Sequence, residues 1–239
     1  MAGLLMQLKK RMIFEHKTDI ILPDIPSITG EDGRRHYTTP EGKQYPSVTT
    51  VLKHASDESA EEDRQAIEKW KERVGHEEAR RVTRISSVQG NKVHKMCEDY
   101  LNNLTDPMKG QMPFHTILFR SLKPILDQNI TKVYAQEVPL YSDALESAGR
   151  ADLIAEWVRI PSIIDFKTKK RPQQKRWIHK YFLQESAYAV MFEELTEIPI
   201  EQLVVLVAVE GDEPQVFVDK TRHYTAEYLK VRRQYEELT

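Results

Sequence analysis

Apolar positions along the 239-residue chain change period near residue 131. Upstream they recur at helical spacing; downstream they alternate or run together as strands do. In 86–104, Val93, Met96, Cys97, Tyr100 and Leu101 stand at i, i+3, i+4, i+7 and i+8, which predicts a helix with one apolar face. The stretch 55–83 places acids early and bases late, as a helix macrodipole favours, and Gly75 is expected to bend or break it. Residues 114–129 read as a third helix after Pro107 and Gly110. Ahead of the helices, 34–52 reads as a small hairpin turning at Pro40 and Gly42, with Ser47 placed to cap a helix that begins near Val48. Residues 1–33, with Pro23, Pro26, Gly30 and Gly33, read as an irregular lead-in.

Beyond residue 131, strands are expected at 132–141, 150–158, 162–168, 201–210 and 215–220, with helices at 173–195 and 224–238. The near-continuous apolar run 201–210 marks a strand covered on both faces. The predicted class is α/β: a central mixed sheet flanked by helices (131–239), with a helical N-terminal part (48–130) packed on it, and 34–239 forming a single domain.

Composition changes this picture little. Lys plus Arg is 35 and Asp plus Glu is 37, a net charge of −2, which excludes a generally basic nucleic-acid binder but not a local basic groove. The single Cys97 excludes an internal disulfide framework and a Cys-rich zinc site, and fits a reducing compartment. No run of 18 apolar residues exists, so no membrane span is expected. The start, MAGLLMQLKKRMIFEHKTD, lacks a secretory core; it is mildly basic, which admits an organelle-targeting segment as the lesser reading.

Candidate chemistry concentrates in 149–170, GRADLIAEWVRIPSIIDFKTKK. Side chains alternate along a strand, so Asp165 and Lys167 point one way and Ile164 and Phe166 the other. Asp152 lies thirteen residues earlier, a gap that allows one strand, a tight turn containing Pro161 and a return alongside. Two carboxylates and one ammonium then share one patch of sheet. Oxygen donors at about 2.1 Å suit Mg²⁺, the Phe166 backbone carbonyl is a natural further ligand, and Lys167 is placed to steady charge on phosphorus. Asp and Lys at i, i+2 also make ordinary exposed ion pairs, but the apolar run before Asp165 makes this strand interior, where charge needs a partner or a metal. His94 and Glu98 share one helical face, as do Tyr181, Gln184, Tyr188 and Met191 on a later helix.

The ordered set His94, Gly149-Arg150-Ala151-Asp152, Ile164-Asp165-Phe166-Lys167 and Gln184-x-x-x-Tyr188 resembles the RecB-type branch of the PD-(D/E)xK nuclease superfamily. The flanking strings YPSVTTVL (45–52), EKWKERVG (68–75) and QGNKVHKMCEDYL (89–101) are similar to the mitochondrial genome maintenance exonuclease family and its phage and bacterial relatives. The likeness covers about residues 34–210. It implies a restriction-endonuclease-like core, with Asp152 and Asp165 as catalytic metal ligands, His94 as a further ligand, Lys167 as the catalytic lysine, and Gln184 and Tyr188 in support. Glu137 matches an acid often found on the strand before GxxD. Ala151 stands where the superfamily has a proline, and one cysteine cannot hold the iron–sulfur cluster of some members. Asp152, Asp165 and Glu137 against Lys167 leave −2, which one divalent cation balances, and an imidazole ligand lets Mn²⁺ substitute for Mg²⁺.

Residues 167–176 hold six basic residues and no acid. Lys169, Lys170, Arg171, Lys175 and Arg176 are expected to track phosphates, and Trp177 to stack on unpaired bases or to pack in the core. Arg80, Arg81 and Arg84 form a second basic cluster. The resemblance implies a metal-dependent exonuclease on single-stranded DNA with a free end, in replication, recombination or repair. The alternatives are a structure-specific endonuclease on the same fold and a non-catalytic nucleic-acid-binding subunit. The expected partners are DNA and replication or recombination proteins, with the chain a monomer in a bacterial or phage-infected cytoplasm rather than a mitochondrion.

Overall fold

The computed structural model describes residues 12–54 and 58–238. The first residues of the organelle-targeting reading, and 55–57 of the predicted 55–83 helix, lie outside the described residues. In chain order the elements are β1 (Glu15–His16), β2 (Ser27–Thr29), β3 (Arg35–Thr38), β4 (Gln44–Pro46), α1 (Val48–His54), α2 (Glu58–Val74), α3 (His76–Leu101) and α4 (Pro113–Asn129). Then come β5 (Ile130–Ser142), β6 (Ser147–Trp157), β7 (Ile160–Lys169), α5 (Lys175–Thr196), β8 (Gln202–Val209), β9 (Gln215–Lys220) and α6 (Thr225–Glu236).

Six strands form one mixed sheet in the order β1-β5-β6-β7-β8-β9. β1 pairs parallel with β5 and β7 parallel with β8; the other neighbours are antiparallel. A parallel neighbour demands a crossover, and α5 supplies it between β7 and β8. β8 is buried along almost its whole length, as its apolar run requires. One face of the sheet carries a core with α1, α5 and α6, including Ile163, Phe182, Val205 and Tyr228. The other face carries a core with α3 and α4, including Met96, Phe119, Ile164 and Leu206. The chain is therefore a mixed α/β protein whose central sheet is flanked by helices. Among the described residues, no helix is long and apolar enough to cross a membrane.

The small sheet β2-β3-β4 packs beside β6, with Ile25, Tyr37, Tyr45 and Ala148 forming its core. Ser47 caps α1 as expected, its hydroxyl oxygen accepting from the Thr50 N–H at 3.1 Å.

Three expectations need correction. The described part of the lead-in is not irregular throughout: β1 adds an edge to the large sheet and β2 to the small one. Phe14, 3% exposed, buries its ring beside Tyr100, and Asn103 holds its backbone from both sides, donating to its carbonyl and accepting from its N–H. The helix expected at 86–104 begins at His76 and ends at Leu101. Gly75, at φ 87°, stops α2; α3 carries Gly90 in its interior and ends just before Asn103 turns left-handed at φ 62°. The turn between β6 and β7 is Val158-Arg159, both at positive φ, while Pro161 lies within β7 opposite Glu156. Two left-handed residues make the tightest hairpin link, and here neither is glycine or asparagine.

Candidate active site

β7 alternates as predicted: Ile164 and Phe166 enter the α3 core, whereas Ile163 enters the α5 core. Asp165 is buried, and Lys167 Nζ forms an ion pair with its Oδ2. β6 is less regular. Residues two apart on a strand share a face, yet Ala151 belongs to the α5 core and Leu153 to the α3 core. The strand changes face at Asp152. Opposite it the β5–β6 register passes from Gln136↔Leu153 to Val138↔Ala151, and the intervening Glu137 adopts φ 47°. Such a strained residue persists only where its surroundings hold it; the Arg150 guanidinium grips the Glu137 carbonyl.

This interruption gathers the acids. One Asp152 oxygen, Oδ2, accepts from the Phe166 backbone N–H at 3.0 Å and lies 3.3 Å from His94 Nδ1. The Phe166 ring stands edge-on to the imidazole, centroids 5.8 Å apart. His94, Glu137 and Asp152 offer ligand atoms that all lie within 4.8 Å of one another, in a group able to hold a metal ion. Asp165 lines the same pocket outside this tight group. Sequence reasoning put Asp165 at the centre and Glu137 at the margin; the structure draws Glu137 into the cluster and gives Asp165 to Lys167. Gln184 Nε2 donates to Asp165 Oδ1 at 3.5 Å, the outer limit of a hydrogen bond. Tyr188 is buried against Gly149.

The pocket, of about 510 Å³, is also lined by Asn91, Lys95 and Glu98 from α3, by Arg150, and by Arg35, Tyr37, Ser47 and Thr49 from the small sheet and the start of α1. Its charges press on one another. Burial, then Asp152, raises the Glu137 carboxyl. Burial lifts Asp165 to about 6 against the pull of Lys167, with Asp152 adding to the rise. Burial alone would lower Lys167, but Asp165 and Asp152 outweigh it and hold the amine protonated. Carboxylates crowded around the Lys167 ammonium, with an imidazole among them, are a donor set that fits a divalent cation.

A residue that sequence reasoning missed lies beneath. Glu185 on α5 has no exposed surface, and neither oxygen has a hydrogen-bond partner among the described residues. Burial drives its carboxyl far above the ordinary range. The signal was available: α5 buries Phe182, Leu183, Ala187 and Tyr188 around it, so a charge there was out of place.

The expected basic run leaves the pocket. None of Lys169, Lys170, Arg171, Lys175, Arg176 and Trp177 lines it. Lys175 turns to Asp219 at 3.3 Å, and Trp177 is half exposed with the Arg176 guanidinium above it, so the core-packing alternative for Trp177 does not hold. Tyr181 lies under the Lys167 and Lys169 amines, at 4.8 and 5.4 Å. In the second cluster Arg81 is paired with Glu78, while Arg80 and Arg84 line a separate groove with Lys71 and His76.

No protein-family model matches the chain. Mitochondrial genome maintenance exonuclease 1 of Mus musculus is 29% identical to it over 132 residues, 54% of this chain and 38% of the mouse protein. The match thus spans well under half the length of that relative. A solved structure from Eubacterium rectale, of a protein bearing a provisional exonuclease name, aligns over 64% of this chain and 68% of its own at 12% identity and a TM-score of 0.42.

Proposed function

We propose that this chain is a Mg²⁺-dependent deoxyribonuclease of the PD-(D/E)xK class, with Mn²⁺ able to substitute, and that it digests single-stranded DNA from a free end. The observation that carries the reading is the meeting of His94, Glu137 and Asp152 beside the Asp165–Lys167 pair in one pocket. The sequence similarity to a mouse exonuclease supports the nuclease class.

In this reading His94, Glu137 and Asp152 would hold the ion, with Asp165 and the Phe166 carbonyl as further oxygen donors. A bound divalent cation supplies Lewis-acid polarisation of a phosphoryl oxygen and a more acidic water. Lys167, kept protonated by its carboxylate neighbours, presents positive charge where negative charge builds on phosphorus. Gln184 steadies Asp165, and the Phe166 N–H fixes which way Asp152 turns. Lys169, Lys170, Arg171 and Arg176 guide the strand from outside the pocket. Residues 34–239 act as one domain, as a monomer in a bacterial or phage-infected cytoplasm, in replication, recombination or repair.

The test is digestion of an end-labelled single-stranded oligonucleotide. Wild-type protein is expected to shorten it with Mg²⁺ or Mn²⁺, to stop with a chelator, and to spare a covalently closed single-stranded circle. Lys167→Ala is expected to be inactive. Equal activity of variant and wild type would end the catalytic assignment, and cutting of the circle would replace the exonuclease by an endonuclease.

A further inference from the structure

The pocket's cations are not equivalent. Lys167 pairs with Asp165; Lys95 pairs with Glu98 at 3.0 Å and Asp99 at 2.9 Å; Arg150 donates to the Glu137 carbonyl. Arg35 lines the same pocket and, among the described residues, has no carboxylate within ion-pair distance. Its backbone is nevertheless fixed on both sides: its N–H donates to Thr50 Oγ1 at 3.0 Å, and its carbonyl accepts from the Ser47 N–H at 2.7 Å. Thr49, exposed, lines the pocket on the same side and places its hydroxyl 3.0 Å from that of Ser47. Tyr37, two residues along β3 and buried, fixes the face from which Arg35 projects.

A guanidinium left unpaired beside four pocket carboxylates, on a backbone pinned at both ends, is available to an anion that enters. Its planar fork matches the oxygens of a phosphate in a way a lysine amine does not. We propose that Arg35, with the Thr49 hydroxyl, forms a phosphate-binding subsite that seats one phosphate of a nucleic-acid strand next to the candidate metal cluster. The inference rests on the nuclease reading of the pocket for its ligand class. The phosphate comes from one of two sources, a terminal phosphomonoester or an internal phosphodiester. A terminal seat sets where the strand end stops; an internal seat sets only its register.

The experiment measures binding apart from cleavage. Fluorescence anisotropy of labelled single-stranded oligonucleotides is recorded with a chelator present, for wild type, Arg35→Gln, Arg35→Lys and Thr49→Val, each first shown to keep the wild-type melting temperature. Losing a charge-assisted phosphate contact weakens binding about tenfold or more, so Arg35→Gln is expected to lose at least that factor. Arg35→Lys recovers part of it, and Thr49→Val loses less. Oligonucleotides with a 5′-phosphate, a 3′-phosphate or hydroxyls at both ends separate the sources. A loss confined to one phosphorylated end assigns a terminal phosphate; an equal loss on all three assigns an internal one. Wild-type affinity in a folded Arg35→Gln protein overturns the subsite. A protein that binds in an Arg35-dependent way but never cleaves with Mg²⁺ keeps the subsite and overturns the nuclease reading.

Discussion

The ring of Tyr188 lies against the bare Cα of Gly149, so a methyl group there would sit 3.0 Å from the phenol oxygen, 3.1 Å from Cζ and closer still to Cε1. The glycine is needed for this close approach rather than for any unusual backbone angle. It joins α5 to β6 three residues before Asp152. Gly149→Ala is expected to cost about 1–3 kcal/mol through overpacking, read as a lower melting temperature. Adding Tyr188→Leu should recover part of the loss. A Gly149→Ala protein as stable as wild type would show that the contact gives way freely.

Glu185 should be a burden at neutral pH. Its carboxyl binds a proton more tightly folded than unfolded, so the folded state gains from it only in acid. As pH rises past the ordinary value of 4.5, the unfolded chain releases the proton and the folded chain does not, and stability falls. Glu185→Gln removes that penalty, so its stability advantage over wild type should widen from pH 5 to pH 8 in chemical denaturation. An advantage that stays constant with pH would mean that Glu185 does not titrate differently on folding.

Asp219 has the opposite sign. Burial works to raise its carboxyl, but the Lys220 N–H, His223, Tyr224 and Lys175 outweigh burial and hold it well below the usual range. Tyr224 donates at 2.8 Å and His223 Nδ1 lies at 2.7 Å. The stability it contributes is present above about pH 4 and is lost as pH falls towards the lowered folded value. Asp219→Asn is expected to cost about 2 kcal/mol near pH 7 and progressively less in acid. Parallel unfolding curves of the two proteins from pH 7 to pH 2 check this.

The exposed basic run outside the pocket predicts a salt effect. If Lys170 and Arg171 each neutralise one phosphate of a single strand, Lys170→Ala with Arg171→Ala should lower the slope of log affinity against log salt by roughly 1.4. Anisotropy titrations across salt concentrations measure it. An unchanged slope would remove this pair from the path of the strand.

What was legible in the sequence follows from how far each signal reaches. The period of two places Asp165 and Lys167 on one side of β7, and the apolar run of β8 marks a strand covered twice; both are local patterns, and both hold. His94 and Asp152 meet although 58 residues apart, and only the ordered motif hinted at that. Glu137 was underrated because nothing near it announces a left-handed backbone; it sits opposite Asp152 at a missing pair in an otherwise unshifted stretch of the β5–β6 ladder, a long-range feature. The Val158-Arg159 turn escaped because it carries no turn-forming residue and Pro161 drew attention instead. β1 is two residues long, too short for any periodicity, and its place depends on Phe14 and Asn103 across 89 residues.

The change of face in β6 gives the pocket two landlords. Helix α3 delivers His94 from one layer and α5 delivers Gln184 from the other, and both arrive at carboxylates mounted where the layers trade places. Sliding one helix against the other would therefore alter the spacing of imidazole and amide without moving the strands between them. Met96 on α3 and Phe192 on α5 anchor those two layers without lining the pocket.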